Sequence, residues 1–155
     1  MNTNKQLARH LRELHVGKNW TWSNMKDALS DVTWKEAITQ IEDFNTIAVL
    51  TFHINYYYTA QIKALQTGKL ESSDKLSFKH PEISSEKDWQ KLLKRVFKEA
   101  EVLASLLEKL PSEKLEENFI DQKYGDYFRN IAGAIEHGHY HLGQIVILKK
   151  LLRKK

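Results

Sequence analysis

The sequence predicts an all-α protein, a four-helix bundle with a long connection between its second and third helices. Two observations carry that expectation. Four separated segments repeat their apolar residues with a period of about 3.6, and no segment shows the strict alternation of a half-buried strand. A third sets the scale: 155 residues fit a single domain spanning 1–155, long enough to bury a core without staples.

The first helix is expected from about Asn4 to His15, because Leu7, Leu11 and Leu14 recur at i, i+4 and i+7 and Gly17 follows as a stop. Lys18-Asn19-Trp20-Thr21-Trp22 reads as a loop, and a short helix should follow from about Ser23 to Leu29. Two large aromatics in so short a connector either roof a pocket or plug one end of the core, and the plug is the expectation here.

Thr33-Trp34-Lys35-Glu36 has the form of a capping box, in which the Thr side chain accepts from the Glu backbone N–H and the Glu side chain reaches back. Trp34, Ile38, Ile41, Phe44 and Ala48 follow at helical spacing, and neither Pro nor Gly interrupts the chain before Gly68. The second helix is therefore expected to run unbroken through this segment, near 50 Å at about 1.5 Å per residue. From Ile47 to Tyr58 it is apolar on nearly every side, as in a helix enclosed by neighbours, and His53 lies there. Asn45, Tyr56 and Tyr57 either line a pocket near that histidine or satisfy one another at the surface.

Between Gln66 and Ser84 the periodicity stops, and Gly68, Ser72, Ser73, Asp74 and Pro81 act as turn and breaker signals. A stretch of that length can travel back along the preceding helix, so helices two and three can run parallel. His80 sits in this connection as a solvated loop residue rather than a metal ligand.

Ser85 should cap a third helix, whose stripe of Trp89, Leu92, Leu93, Val96, Phe97, Ala100, Leu103, Leu106, Leu107 and Leu110 is the cleanest period in the chain. It carries no evident chemistry, and Pro111 ends it. After a polar connector with Leu115 and Phe119, a fourth helix is expected from about Tyr124 to Leu152, with Phe128, Ile131, Ile135, Leu142, Ile145 and Leu152 as its stripe. Gly133, Gly138 and Gly143 weaken it by about 1 kcal/mol each relative to Ala. Close helix approach or room beside a metal would explain Gly138 and Gly143; simple tolerance is the plainer account.

Charge and composition narrow the function. The formal net charge is +4, but Lys149, Lys150, Arg153, Lys154 and Lys155 alone contribute five cations, which leaves the body at −1. Cations at a helix C-terminus favour the macrodipole and solvation, so no nucleic-acid partner is expected. No apolar run approaches the roughly 20 residues of a membrane span, and the N-terminal residues form no apolar leader, so a cytoplasmic protein with no membrane partner is expected. The chain has no cysteine, which excludes disulfides, thiolate ligands and a cysteine nucleophile; any thiol chemistry needs an external thiol.

The chemistry concentrates in Glu136-His137-Gly138-His139-Tyr140-His141-Leu142-Gly143-Gln144. His137 and His141 lie four residues apart and project from one helix face, where both can reach a single ion; His139 points elsewhere. The zinc-protease pattern would place Glu directly after the first His, but Gly138 stands there, so peptide hydrolysis by that mechanism is not expected. A third ligand should come from another helix, and His53 is the candidate. The plain alternative is a pair of half-buried helix histidines with ordinary hydrogen-bond partners. Gln144, on the same face, would orient a ligand or bound water, or else face solvent.

A histidine in the second long helix together with H-x-x-x-H-x-G-Q in the fourth, here His53 with His137, His141, Gly143 and Gln144, resembles the DinB/YfiT-like family of metalloenzymes. The resemblance extends over the whole chain, including the Asn19-Trp20 stretch and Tyr140-His141-Leu142-Gly143-Gln144-Ile145. It implies a four-helix bundle of up-down-down-up topology in which His53, His137 and His141 bind one divalent ion. Zinc suits three imidazoles best, with nickel, manganese and iron as alternatives. Characterised relatives include S-transferases and isomerases that use bacillithiol, mycothiol or glutathione, so the resemblance implies a thiol-dependent S-transferase acting on a small electrophile. A metal-dependent hydrolase of a small molecule and a non-catalytic metal- or ligand-binding bundle are the competing expectations. The second helix is apolar over more than one stripe and relatives often dimerise, so a homodimer is also expected.

Overall fold

The structure is a computed structural model that describes residues 2–154. Its helices are α1 (Thr3–Val16), α2 (Met25–Leu29), α3 (Trp34–Ile38), α4 (Ile47–Thr67), α5 (Asp74–Ser77), α6 (Glu86–Lys109) and α7 (Tyr127–Leu152), with 3-10 turns at Ser112–Glu116 and Gln122–Tyr124. Four are long: α1, α4, α6 and α7. There is no strand among the described residues beyond an isolated bridge between Asn118 and Asp126. No helix among them is long and apolar enough to cross a membrane.

Local chemistry sets the ends of the long helices. Asn2, Thr46, Ser85 and Asp126 each occupy an N-cap and accept from the backbone N–H three residues on, satisfying one of the free donors of the first turn. Gly17 follows α1, and Gly68 ends α4 in the left-handed region at φ 69°, where a glycine pays no Cβ penalty. Each of α1 and α4 packs against both α6 and α7. Leu7, Leu11 and Leu14 of α1 meet Trp89, Val96, Leu103 and Leu107 of α6 and Ile131, Leu142 and Ile145 of α7 in one core. Each such side chain, fully buried, contributes roughly 1.5–3 kcal/mol before the entropy of ordering is set against it. Trp89 is wholly enclosed, and its indole N–H donates to the Val32 carbonyl at 2.8 Å, tying α6 to the α2–α3 connection.

The expected continuous second helix is two helices. The capping box forms as read, with Thr33 and Glu36 exchanging their bonds, but α3 stops at Ile38 and α4 starts afresh at Ile47. Thr39 is extended (φ −74°, ψ 122°) and Glu42 takes a positive φ of 45°. Thr39, Asp43, Asn45 and Thr46 are side chains that compete for backbone hydrogen bonds, and Thr46 uses that capacity to cap α4. The helical spacing of Ile38 and Phe44 was coincidental: they are 38% and 53% exposed. At about 1.5 Å per residue, α4 is near 32 Å long.

Three further expectations are corrected. Trp20 and Trp22 do not plug the core, being 96% and 85% exposed; the polar Asn19 closes that loop instead, donating to the carbonyls of Glu13 and Ser23. Phe128 lies on the outer face of α7 at 46% exposure, because the helix begins at Tyr127 after a 3-10 turn, and Tyr127 takes the buried place. The C-terminal cations do more than solvate a helix end. Lys149 donates to the Ala28 carbonyl (2.8 Å) and to Asp31 (2.5 Å), while Arg153 binds Asp31 and Glu36 at 2.7 and 2.8 Å. These bonds hold both carboxyls down to about 2, Asp31 chiefly through Lys149 and Glu36 chiefly through Arg153. Lys155 lies outside the described residues.

Gly138 is a close-approach glycine. A Cβ there would fall 2.5 Å from Leu14 Cδ2 and 2.6 Å from the Tyr58 hydroxyl, so it sets how near α7 comes to α1 and α4. Gly133 and Gly143 have nothing within 4 Å of that position.

Candidate metal centre

α4 carries His53 two turns from its start, and α7 carries His137 and His141 one turn apart. The packing of α4 on α7 brings the three rings together. His137 Nε2 lies 3.0 Å from His53 Nε2 and 2.9 Å from His141 Nε2. One ring nitrogen from each residue falls within 4.8 Å of the others, so the group can hold a metal ion. His53 and His141 are buried and His137 is half-buried.

The outer ring nitrogens decide which way the lone pairs face. Gln144 Oε1 lies 2.6 Å from His141 Nδ1 and, as an amide oxygen, can only accept; Nδ1 therefore carries the proton and Nε2 is bare. Ser77 Oγ lies 2.9 Å from His53 Nδ1 and donates its own hydrogen to the Asp74 carbonyl at 2.7 Å, so it accepts from His53 in the same way. Two unprotonated Nε2 atoms thus converge on that of His137, which can donate to only one of them. A cation resolves this surplus of lone pairs better than a neutral hydrogen bond does. Zinc–nitrogen bonds of about 2.0–2.1 Å at tetrahedral angles would put the nitrogens about 3.3 Å apart, a few tenths of an ångström beyond the two separations from His137, while His53 and His141 lie within 4.8 Å of each other. The residues therefore fit a three-imidazole ion site in which two of the outer nitrogens are already oriented.

Protonation does not compete well with such an ion. Burial first, then the facing His141 and His53, holds His137 down to about 4, and burial followed by His141 lowers His53. Aromatic rings complete the walls. Phe78 stacks on His53 with ring centres 4.0 Å apart, Tyr57 stands edge-on to both His53 and His137 at 5.2 Å, and Tyr140 stands edge-on to His141 at 4.9 Å. The Tyr57 hydroxyl donates to Asp74 at 2.5 Å, and burial together with that bond raises its pKa.

The other candidates sort by contact. Gln144 is an orienting partner of His141, not a solvent-facing amide. His80 stays outside the cluster, with Nδ1 2.7 Å from its neighbour's carbonyl and its ring against Phe52. His139 lines a different hollow, with Thr21, Ser23 and Leu142. Asn45 borders an apolar groove with Phe44, Leu50 and Ile147 that also reaches Gln144. Tyr57 joins the cluster, whereas the Tyr56 hydroxyl accepts from the Ser73 backbone N–H at 2.8 Å. Sequence reasoning did not single out Ser77, Phe78 or Tyr140. The first two belong to a four-residue helix and its end in the aperiodic connection, where no periodic signal exists to find them.

Set against protein-family models, curated proteins and solved structures, the chain matches none.

Proposed function

We propose that the chain is a metal-dependent enzyme of the DinB/YfiT-like type, with His53, His137 and His141 as ligands of one divalent ion. The observation that carries this reading is the convergence of three Nε2 atoms with two of the outer nitrogens committed as donors. Zinc is the preferred ion, with nickel, manganese and iron as alternatives. The up-down-down-up topology belongs to the same reading. Asn4 Nδ2 bonds the Leu110 carbonyl, joining the start of α1 to the end of α6, and Gln61 and Tyr58 of α4 bond the Asn130 and Ala134 carbonyls in reverse order along α7.

The chain's own residues orient and shield. Gln144 and Ser77 hold the His141 and His53 lone pairs inward, and Phe78 and Tyr57 keep water from one side of the cluster. When bound, a divalent ion supplies the acidification of a coordinated thiol or water. We favour a thiol-dependent S-transferase: an external low-molecular-weight thiol loses its proton, its sulfur forms a bond to an electrophilic carbon, and the leaving group departs. Support comes from the all-imidazole donor set, the absence of cysteine in the chain, and the resemblance of the histidine motif to that family. A hydrolase of a small molecule would use water at the same centre, and a binding bundle would turn nothing over.

The apolar breadth of α4 is accounted for within the chain, because Ile47, Leu50, Phe52 and Ile54 are all buried there. The proposed homodimer rests instead on exposed Phe44, Ile147 and Leu151, and sedimentation over the micromolar range reads it directly.

The decisive experiment titrates zinc and nickel into tag-free protein beside His53→Ala and His137→Ala, with elemental analysis after desalting. One ion per wild-type chain and loss in both variants is expected; equal content in all three defeats the site. The loaded protein is then offered halogenated and epoxide electrophiles with and without bacillithiol or glutathione, beside an ester panel. Thiol-dependent turnover is expected, whereas ester turnover without thiol that His141→Ala abolishes would establish the hydrolase instead.

A further inference from the structure

The loop between α1 and α2 spends its polar groups on rigidity and leaves its largest apolar ones in solvent. Asn19 braces it from the centre: its amide N–H groups donate to the carbonyls of Glu13 and Ser23, and its oxygen accepts from the backbone and the hydroxyl of Thr21 at 2.9 and 2.7 Å. The Trp22 N–H closes a turn on the Asn19 carbonyl at 3.1 Å, and Asn24 ties the far end of the loop to the Gly17 carbonyl at 3.1 Å. Trp22 is thereby held at a φ of 55°, which a bulky residue adopts only where its surroundings impose it. Yet the two indoles this frame presents, Trp20 and Trp22, stand almost wholly in solvent, with exposed Val16 just before them. Scattered apolar side chains on a surface need no account, but two indoles two residues apart on a braced loop form a projecting apolar patch.

Cations surround that patch. Trp22 forms one wall of a hollow whose other walls include Val146, Lys149, Lys150, Arg153 and Lys154, and Lys18 belongs to the loop itself. Lys149 and Arg153 are committed to Asp31 and Glu36. Lys18, Lys150 and Lys154, in contrast, have no carboxylate within 4.0 Å among the described residues. Asp27 also borders the hollow, and its carboxylate accepts from the Asn24 side chain at 2.8 Å.

A pocket for a small ligand would enclose the rings, and here they stand out from the surface. A protein partner would need two slots matched to them, whereas the interfacial layer of a bilayer accepts indoles at any spacing, with the ring in the apolar part and the N–H in the wet part. Lipid phosphates complement the unpaired lysines. We propose that this face docks on an anionic lipid surface, with Trp20 and Trp22 at the headgroup level and Lys18, Lys150 and Lys154 against lipid phosphates. No helix among the described residues is long and apolar enough to cross a membrane, so the association is peripheral and reversible. It is independent of the histidine cluster, and protein with or without metal should bind alike.

Vesicles of phosphatidylcholine, with and without phosphatidylglycerol, test this by co-sedimentation of the full chain and by tryptophan emission. Trp89 is enclosed and Trp34 half-buried, so a blue shift on adding anionic vesicles reports on Trp20 and Trp22. The protein should pellet with the mixed vesicles and not with phosphatidylcholine alone, and added salt should release it. Trp20→Ser combined with Trp22→Asn should abolish both the pelleting and the shift. Asparagine tolerates a positive φ and both positions are exposed, so the thermal midpoint should not move; if it does, the lysine variants carry the test. Lys150→Gln and Lys154→Gln should each weaken binding about fivefold. The proposal is overturned if no vesicle binds, if neutral vesicles bind equally well, or if the tryptophan or lysine variants bind as the wild type does. Two other results reassign the face and overturn it as well. Glycerol phosphate that reproduces the emission shift would make the hollow a site for a soluble anion, and a dimer that the tryptophan variant dissociates, without vesicle binding, would give the face to a second copy of the chain.

Discussion

The α1/α6 side of the bundle and the α4/α7 side use the same helix geometry for different ends. On the first, apolar stripes face inward and charges face out, with Arg12 bridging Glu101 and Glu108 across the exposed seam. On the second, three histidines and two tyrosines occupy positions that leucine would fill at lower cost, and Gly138 permits a close approach that no side chain would allow. Burying polar groups is unfavourable unless each finds a partner, and here the partners come from Gln144, Ser77 and Asp74. The difference teaches that stability is concentrated where the sequence is plainest, and that the clustered polar rings occupy the side that gives some of it up.

The largest expected effect is on the plain side. Trp89→Ala removes a fully buried indole and the bond to Val32, and should lower unfolding free energy by about 3–5 kcal/mol in urea titrations while leaving metal binding to the folded fraction intact. A parallel loss of metal affinity would break the separation between the two sides.

Next comes His15, at the border where α1 meets Tyr58 of α4. Its Nδ1 donates to the Leu11 carbonyl at 2.8 Å, its Nε2 has no partner, and burial holds it down to about 4. The unfolded chain, with an ordinary value of about 6.5, binds the proton more readily, so the neutral ring's contribution is complete above that pH and is lost as pH falls from 6.5 towards 4. The loss is on the order of 3 kcal/mol across the window. His53 and His137 share the direction, so the comparison is between wild type and His15→Phe: the variant should show the shallower acid slope by about that amount in denaturant midpoints. Equal slopes would remove His15 from the account.

A smaller effect separates the glycines of α7. Gly138→Ala should destabilise by about 1–2 kcal/mol because Leu14 and Tyr58 must move, whereas Gly133→Ala and Gly143→Ala should each stabilise by up to about 1 kcal/mol through helix propensity. Thermal melts of the three variants give the signs directly. Smallest is Arg153→Ala, which opens an exposed ion pair with Asp31 and Glu36 and should cost under about 1 kcal/mol, less still in high salt.

Much of this was legible in the sequence where a period or a spacing carries it. The leucines of α1, the stripe of α6 and the four-residue step from His137 to His141 are one-dimensional signals of three-dimensional faces. The choice of His53 followed from its apolar neighbours, and the structure brings it to the pair. What the sequence hid depends on contacts between distant residues. Trp34 and Ile38 extend a helical spacing that Thr39 and Thr46 end by local hydrogen bonding. Ser77 and Phe78 reach His53 only through the fold, and Lys149 and Arg153 find Asp31 more than a hundred residues earlier.

The contacts of Ser77 and Phe78 with His53 bear on how such a bundle could be re-engineered. Surface connections tolerate insertion and exchange better than packed helices do. Here the 74–78 segment also supplies the hydrogen-bond acceptor and the stacked ring that fix one of the three imidazoles. Grafting a different connection onto the same four helices would therefore act as a tuning knob, altering the basicity and tilt of His53 while the core that positions His137 and His141 stays as it was.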